Sequence, residues 1–243
     1  MNDSASLTYV GQELELFARA INWKAYWSSQ VSPWIRGDVL EVGAGLGANT
    51  ARMHNRHVRS WHCLEPDPKL LTTLLDNVRS LQGCTASIGT IDTMTGRSFD
   101  TIIYIDVLEH IEDDDGELEK AAALLRPGGH LVVLAPAHQR LFTPFDAAIG
   151  HYRRYNAATL AACGPASCRL RTLFYLDSVG IMTSLANRLL LNQKQPTPRQ
   201  IAFWDTCLIP ISRVLDPLTR HRFGKSIVAV WTREPSVTDV RAS

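Results

Sequence analysis

The chain contains no run of 18 uncharged apolar residues, the length a membrane-spanning helix needs, so none is expected. It also lacks a basic N-terminal stretch leading into an apolar one, and its opening Met1-Asn2-Asp3-Ser4-Ala5-Ser6 is not read as a signal peptide. Neither charge is in excess. With 25 Lys and Arg against 24 Asp and Glu, an extended nucleic-acid footprint is not expected. Cysteine is scarce and unpatterned: Cys63, Cys84, Cys163, Cys168 and Cys207 form neither a C-x-x-C pair nor a metal-ligand spacing. They read as reduced thiols of a cytoplasmic protein, and no metal is expected. Internal repeats are absent. The 243 residues suffice for one α/β domain with a full core, here read as residues 1–243.

Against this plain background one stretch stands out, Val39-Leu40-Glu41-Val42-Gly43-Ala44-Gly45-Leu46-Gly47-Ala48-Asn49-Thr50. A short apolar run meets three glycines within five residues, the pattern of a buried strand ending in a turn that approaches a ligand closely. A second apolar run, Trp61-His62-Cys63-Leu64, ends at Glu65. That is about 20 residues on, where nucleotide-binding folds place an acid for the ribose hydroxyls. The glycines also satisfy the G-x-G-x-x-G/A pattern of a dinucleotide site. Glu41, an acid inside the strand beside the turn, opposes a pyrophosphate and suits a cationic ligand, which favours S-adenosylmethionine over NAD.

Further motifs follow in order. Val39 to Asn49 resembles the first motif of the class I S-adenosylmethionine-dependent methyltransferases, and Glu65 matches their ribose acid. Phe99 to Ile111 is similar to their fourth strand and the loop after it, and Leu125 to Leu134 to the turn into their fifth strand. The resemblance spans Trp34 to Tyr155. It implies a Rossmann-like, doubly wound α/β fold with a mostly parallel seven-stranded sheet and an antiparallel last strand. It further implies S-adenosylmethionine contacts from Glu41, Gly43, Ala44, Gly45, Glu65 and Pro66. Thr90, Ile91, Asp106, Val107 and Leu108 complete that set.

Taken along the chain, Glu13 to Ser28 has helical spacing, within an expected N-terminal helical cap over residues 1–36 whose Tyr26 is a candidate acceptor contact. After the glycine turn, Ala48 to His54 is read as helix, Asp67 with Pro68 predicts a further helix start, Asp92 the N-cap of a brief turn, and Asp113-Asp114-Asp115 the acidic start of another helix. Pro127-Gly128-Gly129 is read as a turn, and His130 to Ala135 as the fifth strand. The connection leaving that strand, Pro136 to Tyr155, ends in Gly150-His151-Tyr152-Arg153-Arg154-Tyr155. It resembles the Asp-x-x-x-Gly-His-x-Arg-Arg-Tyr signature of a bacterial methyltransferase subgroup associated with glycan or lipid-linked sugar pathways.

His151, Arg153, Arg154 and Tyr155 are accordingly candidate acceptor contacts, since a guanidinium fork matches carboxylate and phosphate. One arginine is expected to be functional and the other to pair with Asp146 or Glu109. Residues 192–224 form an expected helical insertion before the last strand, as a lid or platform beside the substrate. Its apolar residues and Arg213, Arg220, His221 and Arg222 allow peripheral membrane contact. Packing on the core or on a second copy, as in a homodimer, accounts for the same residues.

Methyl transfer from a sulfonium needs alignment and exclusion of water; a hydroxyl or ammonium acceptor also needs a base. His151 is the first candidate and His110 the second. The reading is O-methylation of a small or lipid-linked, anionic acceptor. Competing readings are an N-methyltransferase on a small metabolite, a nicotinamide-dependent oxidoreductase and a non-catalytic cofactor-binding protein.

Overall fold

Thr101 to Ile105 is buried without interruption, as a strand flanked by two other strands and covered on both faces must be. It belongs to β4 (Phe99–Ile105), at the centre of a sheet that also contains β1 (Gly37–Val42), β2 (Val58–Glu65), β3 (Cys84–Ile88), β5 (Leu125–Pro136), β6 (Cys168–Leu176) and β7 (Ser226–Arg233). These assignments come from a computed structural model that describes residues 19–186 and 197–235.

The order is β3-β2-β1-β4-β5-β7-β6. β1 pairs in parallel with β2 and β4, β2 with β3 and β4 with β5, whereas β7 runs antiparallel between β5 and β6. This is the doubly wound sheet with an antiparallel last strand that the motifs imply. The chain turns in opposite directions from β1 and β4, so the crevice outside their carboxyl ends is where such sheets hold ligands.

The flanking helices are α1 (Ile21–Val31), α2 (Thr50–Met53), α3 (Pro68–Val78), α4 (Asp114–Leu124), α5 (Pro144–Ala148), α6 (Ala157–Ala162), α7 (Ser178–Ala186), α8 (Pro198–Phe203) and α9 (Ile209–Leu218). Local chemistry starts several of them. Asp67 accepts a hydrogen bond from the Lys69 amide at 2.8 Å with Pro68 in the first turn of α3, and Asp113 accepts from Gly116 at 3.1 Å ahead of α4. One face of the sheet packs under Trp23, Trp27 and Trp61, the other around Leu40, Tyr104 and Trp231. A fully buried side chain such as Leu40 contributes roughly 1.5–3 kcal/mol.

Three local expectations are corrected. β5 begins at Leu125, and Pro127-Gly128-Gly129 is an irregularity within it, where the register moves from Phe99↔Leu125 to Thr101↔His130. Gly128 makes that step at φ +76°, a region glycine enters freely. The helix expected over Ala48 to His54 shortens to Thr50–Met53, because Gly45 and Gly47 keep positive φ through the turn before it. Asp92 caps nothing: Thr90 precedes the short Ile91–Met94 turn, and Asp92 pairs with Lys120 at 2.8 Å.

In the second half of the chain, α8 and α9 are joined by a π turn at Trp204–Leu208, and that turn and α9 lie against α1. Ile201, Trp204 and Ile209 enter the core, and the Trp23 and Trp204 rings lie 5.7 Å apart. Two buried acids knit the layers. Asp205 accepts from the Trp23 amide at 2.8 Å, and Asp216 from the Tyr26 hydroxyl at 2.8 Å and the Asp177 and Ser178 amides at 2.7 and 3.0 Å. Packing on the core is therefore the role of the buried part of this insertion. Residues 1–18, 187–196 and 236–243 lie outside the described set, with the first part of the expected N-terminal cap, the start of the insertion and the polar tail.

Candidate active site

The glycine turn follows β1 directly. Gly43 and Ala44 both donate to the Leu64 carbonyl, at 2.8 and 3.1 Å, which ties the turn to the end of β2. Gly43 has φ +67°, and a Cβ there would meet Val107 at 2.7 Å, so two of the expected cofactor residues touch where only hydrogen fits. Glu65 closes the turn from β2, with one carboxylate oxygen accepting from Gly45 at 2.7 Å and the other from Asp67 at 2.9 Å. Burial raises its pKa, and those two amides oppose the shift. Pro66 is half-buried beside it and Thr90 is exposed. The Ile91 and Leu108 side chains are buried in the core, so a contact from them to a ligand in the crevice would come from their backbone.

Glu41 is buried under the turn, where its Oε2 accepts from the Thr50 hydroxyl at 2.6 Å and the Trp61 ring N–H at 2.9 Å. Burial pushes its carboxyl up to about 7 against those bonds. The acid used to disfavour a pyrophosphate thus carries only part of a charge at neutral pH. Because the folded pKa exceeds the unfolded value, the group stabilises the fold fully at low pH and loses that contribution as pH rises towards 7. Glu41→Gln keeps an acceptor oxygen for both donors. We expect the difference in urea stability between wild type and variant to change between pH 4.5 and 7.5, and a pH-independent difference would exclude this titration.

Asp106 follows β4 and is a non-glycine residue held at φ +54° while its amide donates to the Leu134 carbonyl at 2.8 Å. Such backbone is retained where surrounding structure enforces it, often at functional sites. Asp106 is open to solvent yet surrounded by protein, the condition of a residue lining a cleft. Burial raises its carboxyl to about 6, opposed by His151, Lys225, Lys24 and Arg154. Neither lysine was anticipated. Lys24 lies in α1 and Lys225 just before β7, far from every motif.

The connection after β5 folds back on its own start. Ala137 bridges Tyr155, His138 donates to the Tyr155 carbonyl at 2.7 Å, and the Tyr152 amide donates to the Glu109 carbonyl at 2.8 Å. His151 is thereby brought onto the loop that carries Glu109 and His110. The two imidazole centroids lie 4.5 Å apart with rings nearly perpendicular, and His151 Nε2 lies 3.8 Å from Glu109 Oε1. Burial, then His151, pushes His110 down to about 4, while burial and the neighbouring Asp106 push Glu109 well above the usual carboxylate range. Glu109 Oε2 is buried without a hydrogen-bond partner among the described residues.

Asp146 holds this loop together. It accepts from the Thr143 amide and hydroxyl, both at 2.7 Å, takes Arg154 Nε and Nη2 at 2.8 and 2.9 Å, and lies 3.1 Å from His151 Nδ1. Burial would raise its pKa, but His151, Arg154 and Thr143 together hold it below the ordinary range. Arg153 pairs with Asp114 and donates to the Glu112 carbonyl at 2.7 Å; Tyr155 donates to Asp114 at 2.7 Å. Both arginines are thus engaged within the chain, as is the Tyr26 hydroxyl on Asp216. Of the candidate acceptor contacts, His151 is the one brought beside Glu109, His110 and Asp106. Arg154→Lys cannot keep two parallel bonds to buried Asp146. We expect urea unfolding to show a loss of about 2–3 kcal/mol, with cofactor affinity unchanged in a parallel titration.

Comparison with known proteins now bears on this crevice. Residues 40–131 match a model described as a methyltransferase domain. That match includes the glycine turn, Glu65, Asp106 and the Glu109–His110 pair, and stops before the His151 connection. Two curated relatives, the demethylmenaquinone methyltransferases of Tropheryma whipplei strains Twist and TW08/27, are each 29% identical over 153 residues, 62% of this chain. The alignment spans 64% of those relatives' length.

Solved structures share this fold. The N-methyltransferase NodS of Bradyrhizobium japonicum with S-adenosyl-L-homocysteine has a TM-score of 0.57 at 15% identity, covering 90% of this chain and 88% of that one. An S-adenosylmethionine-dependent methyltransferase of Clostridium acetobutylicum has a TM-score of 0.58 at 10% identity, covering 92% and 98%. The [4+2]-cyclase SpnF has a TM-score of 0.61 at 14% identity, covering 93% and 95%. A cyclase on this fold is a reminder that the reaction must be argued from the site.

Proposed function

We propose that the protein is an S-adenosylmethionine-dependent methyltransferase acting on an oxygen of a small or lipid-linked, anionic acceptor. The observation that carries this reading is the glycine turn at the end of β1, held by Glu65, within the stretch that matches a methyltransferase domain. Glu65 supplies acceptors for ribose hydroxyls, and the turn lets the backbone approach the ligand. Methyl transfer joins the acceptor oxygen to the methyl carbon as the carbon–sulfur bond breaks and its electron pair returns to sulfur. The chain aligns the two reactants, excludes water and handles the acceptor's proton, if it has one, at the Asp106, Glu109, His110 and His151 cluster.

Calorimetric titration with S-adenosylmethionine, its demethylated product and NAD tests the cofactor. Saturable binding of the first two without NAD is expected. NAD binding alone would return the turn to a dinucleotide site, and occupied cofactor without turnover on any extract would favour a binding protein.

A lipid-linked acceptor is supported by the outer face of α9. Ile211, Val214, Leu215 and Leu218 recur at helical spacing and are exposed, with Phe203 and Phe223 nearby. Between Thr197 and Arg233 the only acids, Asp205 and Asp216, are buried, whereas Arg199, Arg213, Arg220 and Arg222 are exposed. An apolar stripe on a segment whose exposed charges are all basic fits an anionic lipid surface, while a symmetric second copy would set these arginines against one another. No helix among the described residues is long and apolar enough to cross a membrane. Co-sedimentation with anionic vesicles, lost in Val214→Glu/Leu218→Glu and absent with neutral vesicles, is the expected result. Dimerisation without vesicle binding would overturn it.

A further inference from the structure

We propose that Glu109, His110 and His151 form a binding site for a divalent transition-metal ion, and that the ion receives the acceptor's oxygen. One ligand atom from each of the three lies within 4.8 Å of the other two. With metal–nitrogen and metal–oxygen bonds of about 2.1 Å, two ligands on one tetrahedral ion stand roughly 3.4 Å apart. The 3.8 Å between His151 Nε2 and Glu109 Oε1 is close to that, so a small contraction of the loop completes the site.

The surroundings match the requirements of such a centre. A ligating histidine ordinarily donates its other ring N–H to a carboxylate or backbone carbonyl, which orients the ring. His151 presents Nδ1 to Asp146 at 3.1 Å, and Asp146 is itself fixed by Arg154 and Thr143. His110 hydrogen-bonds with the Gly150 backbone, and its Nδ1 faces that glycine. Independently, Glu109 Oε2 is buried with no hydrogen-bond partner among the described residues, although an orphaned carboxylate oxygen is expensive to desolvate. A cation beside it removes that penalty.

The donor set of two imidazoles and one carboxylate suits zinc, manganese, iron(II) or cobalt better than calcium, which prefers oxygen alone. Three protein ligands leave a position for the acceptor. The expectation of no metal rested on sequence spacing, and these ligands are invisible to it: Glu109 and His110 follow β4, while His151 arrives from a different connection 41 positions later. The ion's chemical role rests on the proposed methyl transfer; its binding does not. Bound as an alkoxide or phenoxide, the acceptor would lose its proton to water before its oxygen attacks the methyl carbon, and sulfur leaves as the neutral thioether.

The test uses full-length protein stripped with a chelator and titrated with Zn²⁺ and Co²⁺, alongside S-adenosylmethionine in a separate cell. One ion per chain is expected, with a cobalt visible spectrum that reports its ligand geometry. His151→Gln and Glu109→Gln should each weaken the ion by more than the roughly 10–100-fold that loss of a supporting partner produces. Unchanged circular dichroism and cofactor affinity would show that these variants fold. Absence of saturable ion binding, or binding unaltered in both variants, overturns the metal site. Cofactor binding without the ion would leave the methyltransferase reading standing, and ion binding without the cofactor would do the reverse.

Discussion

Replacing Asp216 by alanine is expected to destabilise the protein by about 3–9 kcal/mol, the sum of leaving three buried donors unpaired at roughly 1–3 kcal/mol each. The donors are the Tyr26 hydroxyl and the amides of Asp177 and Ser178, and the Asp216 side chain that serves them is fully buried. They belong to α1, to the end of β6 and to the start of α7, so one carboxylate on α9 joins four parts of the chain. Against a typical total of about 5–15 kcal/mol, the loss is a large fraction of the fold's stability. Thermal unfolding should move down by about 10 °C or more. Tyr26→Phe removes one donor and keeps the other two satisfied, so it should cost about 1 kcal/mol. The double variant should then be less destabilised than the sum of the two singles, because the hydroxyl orphaned by Asp216→Ala is gone. Additive effects would mean that Tyr26 and Asp216 do not share a bond.

That network also marks the limit of what the sequence reveals. The β1 strand, its glycine turn and Glu65 are legible because each depends on neighbours in the chain: apolar residues in a run, glycine where φ must be positive, an acid at a strand end. The caps at Asp67 and Asp113 are legible for the same reason. Tyr26 is different. Its aromatic cluster before β1 suggests a helix near the ligand, but the partner of its hydroxyl lies 190 positions away, and no local pattern encodes that distance. Asp146 and Arg154 are intermediate, eight positions apart within one signature, so their pairing could be entertained from spacing. Lys24 and Lys225 could not, because only the assembled sheet brings α1 and the start of β7 to Asp106. The early start of β5 was hidden by Pro127-Gly128-Gly129, which reads as a turn until the pairing of Phe99 with Leu125 places it inside the strand.

Glu65→Ala is expected to weaken S-adenosylmethionine and its demethylated product by about 100-fold to 10 000-fold, with the fold retained. The estimate follows from two ribose hydroxyls donating to a charged acceptor, each bond worth roughly 1.5–3 kcal/mol, where 1.4 kcal/mol is tenfold in affinity. The carboxylate has a second duty in the free protein, since it already accepts from Gly45 at 2.7 Å and Asp67 at 2.9 Å. Each of its oxygens has a further lone pair, so bracing the turn and binding the ribose do not compete. Alanine removes both functions and glutamine only part of each: the amide retains one acceptor oxygen and turns two N–H donors towards backbone amides that also donate. Glu65→Gln should therefore lie close to alanine in cofactor affinity. Calorimetry gives the affinities, and melting of the ligand-free variants gives the bracing contribution. A lower melting temperature with unchanged cofactor affinity would assign Glu65 to the turn alone and take it out of the binding site. A lost affinity with nearly unchanged melting would place its main contribution at the ribose.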